Sequence, residues 1–201
     1  AGRSNQTIIL DGNLTVQAGG SLSFENVTLI LNSTRDGQLG IFVQSGGRFD
    51  VTNSTITAYD KTTSVFHSTI YGDYTTYGLR YHFIINGTSA IARSTIEYLW
   101  GPEPPDAFWM ANGLAIYSSN VTLDSSYVQQ TEWSGIWRYN SSPLISRNSI
   151  LHTGGPASTM DLSSSRVVGN TVRYSGENGM PSGWDVAIGS GKPLVANNDI
   201  K

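Results

Sequence analysis

The chain contains no cysteine, so disulfides, thiolate metal sites and cysteine nucleophiles are excluded together. Charge is scarce as well. Only 13% of the 201 residues are Asp, Glu, Lys or Arg, and the net charge is −3. No run or stripe of Lys and Arg exists, which argues against a nucleic-acid partner. No stretch approaches the ~18 consecutive apolar residues of a spanning helix, so no membrane span is expected. Helical periodicity is missing too: apolar stripes at i, i+3, i+4 and i+7 are interrupted by Gly, Pro or β-branched runs. The first residues, AGRSNQT, carry neither a charged leader nor an apolar segment. A mature secreted chain is expected to start in this way.

What is abundant is Asn, Ser and Thr. With 14 Asn and 45 Ser or Thr, chance gives about three Asn-x-Ser/Thr sequons. Eight are present, at Asn5, Asn13, Asn26, Asn32, Asn53, Asn86, Asn120 and Asn140. Asn140 is the poorest acceptor because proline follows its sequon. Two readings stand side by side. Either these residues crowd the turns of a β-rich protein, or the exterior is glycosylated. Both fit an extracellular or cell-surface location.

The chain also repeats itself. QAGGSLSFENVTL at 17–29 returns as QSGGRFDVTNSTI at 44–56. Alternating segments ending in Asn or Ser, then Ser or Thr, then an aliphatic residue close at Leu29, Ile56, Ile96, Val128, Ile150, Val172 and Ile200. The intervals are 27, 40, 32, 22, 22 and 28 residues. Each copy has an earlier strand leading into a Gly/Ser/Asn turn, as in LTVQAGG and IFVQSGG. Two or three short strands in a minimal unit of ~22 residues form one coil of a β-solenoid. A β-sandwich is the competing all-β reading, but the 22-residue spacing has no role in one.

The run ISRNSILHTGG…SSRVVGNTVRYSG…PLVANNDI resembles the right-handed parallel β-helix repeats of pectate lyases, of NosD-type periplasmic copper-site accessory proteins and of many surface proteins. The resemblance covers residues ~10–201. It implies a right-handed parallel β-helix of about seven coils, a single domain over 1–201. Residues 1–13 are expected to hold a leading cap strand, and 57–80 and 97–112 are expected to be loop insertions. The C-terminal end is expected to be uncapped, hence covered by further chain or a neighbouring subunit.

Parallel stacking places equivalent residues of successive coils about 4.8 Å apart. Val51, Ile91, Leu123, Ile145, Val167 and Val195 are therefore expected to form one internal aliphatic ladder. Asn148, Asn170 and Asn198 share one turn position, where their amides can bond to one another and to turn backbone.

For function, the insertions supply Tyr59, Phe66, Tyr71, Tyr74, Tyr77, Tyr98, Trp100, Phe108 and Trp109. Strand register adds an expected outward set of Tyr81, Phe83, Tyr117, Trp137 and Tyr139. These rings suit sugar faces, and equally suit loop packing or a subunit interface. Enzymes on this fold need close carboxylates, or a Ca²⁺ cluster with a basic residue. The candidates are Glu132, Arg138, Asp161 and Asp185, with Asp161 and Asp185 as the Ca²⁺ option. None of them sits in a recognisable catalytic motif. His67, His82 and His152 are too far apart in register to point to a metal, and GGPAS at 154–158 lacks the lysine of a phosphate loop. The residues thus support a structural, assembly or adhesive surface glycoprotein that associates with itself or neighbouring subunits. A polysaccharide-active enzyme or a carbohydrate-binding module is the alternative.

Overall fold

A computed structural model describes residues 2–60, 80–100, 113–132, 134–154, 157–161, 163–174 and 186–201. Its strands, all paired in parallel, wind into seven coils of three faces each. The first face stacks Leu14–Val16, Gly40–Val43, His82–Ile85, Leu114–Ile116, Ile136–Tyr139, Ser158–Asp161 and Val186–Ile188. The second stacks Arg48–Thr52, Thr88–Ala92, Val121–Asp124, Leu144–Ser146, Arg166–Val168 and Leu194–Ala196. The third stacks Thr55–Asp60, Thr95–Glu97, Tyr127–Thr131, Ser149–Thr153, Thr171–Arg173 and Asp199–Ile200. In the first coil one long strand, Ser21–Ser33, runs around the corner and serves both the second and third faces. Gly2–Leu10 lies in parallel register along that strand.

The reason for stacking is visible in the interior. Phe24, Val51, Ile91, Leu123, Ile145, Val167 and Val195 pair in sequence, each on the next. All are buried except Val195 in the last coil, which is 37% exposed. On the third face Leu29, Ile56, Ile96, Val128, Ile150 and Val172 do the same, again buried. Phe24, Phe49 and Phe83 are in contact through the first three coils, the first pair edge-on and the second tilted, with ring centroids 5.2 and 6.1 Å apart. A single coil cannot bury these side chains, so each coil depends on its neighbours.

The corner between the second and third faces explains the repeated phrase. Asn26, Asn53, Arg93, Ser125, Arg147, Gly169 and Asn197 all have φ between 49° and 68°. Left-handed backbone there turns the chain within one residue, and Asn and Gly tolerate it best. The next residue points inward, and from Ser54 onward it forms a polar ladder. Asn148, Asn170 and Asn198 behave as the sequence implies: the Asn148 N–H donates to Asn170 Oδ1 at 2.9 Å and the Asn170 N–H to Asn198 Oδ1 at 2.8 Å. Their amides reach back to the carbonyls of Leu123, Ile145 and Val167 at 2.9–3.0 Å.

The ladder extends further than the asparagines. The N–H groups of Val27, Ser54 and Ser94 donate to Ser54, Ser94 and Ser126 Oγ at 3.0–3.1 Å, and Ser126 N–H to Asn148 Oδ1 at 2.9 Å. Serine accepts from the preceding coil but has no amide to donate to a carbonyl there. Its hydroxyl donates instead to the carbonyl two residues back, Thr52, Ala92 or Asp124. One buried donor per coil is thereby satisfied along the whole stack.

Candidate functional site

Among the described side chains, the catalytic candidates Glu132 and Arg138 are placed in different surroundings. Arg138 is fully buried inside the solenoid, not on its surface. It pairs in register with Ile116 below and Met160 above, both of the core. Glu132 lies elsewhere, half-buried, with its Oε1 3.3 Å from Arg80 Nη1. The Arg80 N–H donates to Asp36 Oδ1 at 2.8 Å, and Nη1 lies 3.9 Å from Asp36 Oδ2. Glu132, Arg80 and Asp36 are thus a polar tie between segments far apart in sequence. Sequence reading missed Arg80 and Asp36, since no repeat position marks them. Asp161 pairs in register with Tyr139; its side chain, Asp185 and Trp109 lie outside the described residues. No described group of three His, Asp or Glu could hold a metal ion.

The aromatic set divides. Tyr81 and Phe83 are buried in the core, 0% and 1% exposed, contrary to the outward expectation. The cause is a slip of one residue: Phe83 pairs with Ile41 and Leu114, the inward column of the first face. Tyr81 lies inside as well, its hydroxyl donating to the Ile56 carbonyl at 3.2 Å, and burial pushes its pKa up. Tyr117, Trp137 and Tyr139 alternate with Ile116, Ile136 and Arg138 of the interior, so they belong to the outer side. There they form one cluster. Trp137 and Tyr139 stack at 5.6 Å with ring planes 4° apart, and Tyr117 meets Trp137 edge-on at 5.2 Å. Trp137 is nevertheless only 4% exposed, while both tyrosines are half-buried. Trp100, also half-buried, packs edge-on against His82 at 4.5 Å, and burial lowers the His82 pKa.

The sequons form the most regular surface feature. Seven of the eight asparagines are exposed; Asn32 is half-buried. Asn5, Asn26 and Asn53 occupy one corner column on successive layers, each in left-handed backbone. In each the sequon threonine, Thr7, Thr28 or Thr55, begins the third-face strand. The coil turn therefore writes Asn-x-Thr for its own geometric reasons. Several sequon amides are engaged: the Gly40 N–H donates to Asn13 Oδ1 at 2.9 Å, Arg93 Nε donates to Asn53 Oδ1 at 2.8 Å, and Asn32 Nδ2 donates to Asp11 Oδ1 at 2.7 Å.

Neither a curated protein nor a solved structure matches this chain. A family model described as "Right handed beta helix region" matches residues 4–200, nearly the whole chain. With three-faced parallel coils and their stacked interior ladders already in view, the chain belongs to the right-handed β-helix family.

Proposed function

We propose that this domain is a non-catalytic structural module of an extracellular or cell-surface glycoprotein, with a role in assembly or adhesion. The observation that carries the reading is the exposure of seven sequon asparagines on an otherwise weakly charged rod. The placement of the two candidates with described side chains supports it: Arg138 is enclosed in the core and Glu132 is held by Arg80. A rigid stack with glycan on some faces and bare β-surface on others suits lateral contact between copies or with neighbouring subunits.

Glycopeptide mass spectrometry of the protein from its native source tests this reading. Glycan is expected at Asn13, Asn86 and Asn120. Asn5, Asn26 and Asn53 stand about 4.8 Å apart in one column, so no molecule is expected to carry glycan on all three. Asn32 and Asn140 are expected bare, the first because it is half-buried and its Nδ2 is held against Asp11. Unmodified asparagine at all eight sites would overturn the glycoprotein reading.

A second reading, carbohydrate binding or polysaccharide cleavage, is favoured by the Tyr117, Trp137 and Tyr139 cluster on the outer side of the first face. Its weakness is that the central ring, Trp137, is 4% exposed and offers a sugar little open area.

A further inference from the structure

Two neighbouring columns of the interior each lose their apolar character at one place. Along one, Val16, Val43, Ile85 and Ile116 lead to Arg138 and then Met160. Along the other, Leu14, Ile41, Phe83, Leu114 and Ile136 lead to Ser158. The two breaks meet: Arg138 Nη2 donates to Ser158 Oγ. Arg138 is 0% exposed and Ser158 1%. Nε and Nη1 of Arg138 are buried and have no hydrogen-bond partner among the described residues. No carboxylate forms an ion pair with this guanidinium among the described residues.

An enclosed cation of this kind is expensive. Removing an ion from water costs several kcal/mol even after relaxation, unless a counter-charge and hydrogen bonds replace the water. Burial alone pulls the Arg138 pKa down to about 9, so the group still carries its proton at neutral pH. A hydrophobic side chain in its place would continue the column Ile116–Met160 at lower cost. A water molecule would accept hydrogen bonds from Nε and Nη1 but would leave the charge uncompensated.

We propose that the solenoid interior beside Arg138 binds one small monovalent anion of the halide class. Its ligands are the Nε and Nη1 donors of Arg138, with the Ser158 hydroxyl free to donate its own hydrogen to the same ion. The site neutralises the interior charge and fastens the fifth coil to the sixth, since Arg138 and Ser158 come from successive coils.

Thermal unfolding at fixed ionic strength, with sodium chloride replacing sodium gluconate, tests the proposal. The unfolding transition itself opens the interior, so the ion equilibrates during the scan. At about a hundred times the Kd, a rise in Tm of about 5–10 °C is expected for a chain of this size. Arg138→Met is expected to show no chloride dependence. Crystals grown in bromide are expected to give an anomalous peak within contact distance of Nε and Nη1. A flat chloride response in the native protein, a response that survives in Arg138→Met, or no bromide peak beside Arg138 would each overturn it. If Arg138→Met fails to fold, the bromide experiment on the native protein decides alone.

Discussion

Replacing Asn170 with alanine is expected to lower Tm by roughly 10 °C. The Asn170 amide donates to the Ile145 carbonyl and to Asn198 Oδ1, and its own Oδ1 accepts from the Asn148 N–H and Nδ2. Alanine removes all four bonds and leaves the buried Asn148 N–H without its acceptor, while the Ile145 carbonyl keeps its strand partner. The orphaned donor costs about 1–3 kcal/mol and each further lost bond about 0.5–1.5 kcal/mol. Together they amount to about 4 kcal/mol, and each kcal/mol moves Tm by about 2–4 °C at this chain length. Asn198→Ala is the informative partner variant. Its ladder bonds are only part-buried, so water can replace them and the loss should be less than half as large. Calorimetry on the two variants checks both numbers. Equal, small losses would mean that the ladder does not hold the corner.

Leu123→Ala is expected to cost about 2–5 kcal/mol, because it opens a cavity in the middle of the aliphatic ladder. Leu123 is 0% exposed and lies between Ile91 and Ile145. Val195→Ala, in the same column two coils beyond Ile145, is expected to cost less than about 1 kcal/mol. At 37% exposure it is only partly enclosed, so truncation removes less buried area and leaves no closed cavity. Urea unfolding of both variants, with unchanged m-values, would separate the contribution of stacking from that of residue type.

Much of the fold could be read from the residues because parallel stacking repeats an environment at a fixed interval. Like then falls on like, and the ladder from Val51 to Val195 and the Asn148, Asn170 and Asn198 amides could be placed from spacing alone. Ser54, Ser94 and Ser126 escaped notice, although NSTI, RSTI and SSYV align them with the asparagines. Serine does the same work through a shorter hydroxyl, and the eye follows the amide.

The candidate site was less legible, and the reason is register. A strand shows two sides with a period of two, and a single-residue slip exchanges them. That slip placed Tyr81 and Phe83 outside when they are core. Arg138 was misplaced for a different reason: a charged residue on a strand is ordinarily outside, and only its alternation with Trp137 and Tyr139 betrays that it faces in. The sequons carry two messages at once. Asn5, Asn26 and Asn53 fit the left-handed corner whether or not they carry sugar, so the glycosylation reading rests on the exposed sequons outside that column, Asn13, Asn86 and Asn120.

The central claim, that this β-helix serves as a glycosylated structural element and not as a catalyst, is tested most directly by electron imaging of the native protein in its source material. The account predicts ordered filaments, sheets or arrays built from rod-shaped units. Dispersed single particles that bind or cleave a polysaccharide would contradict it.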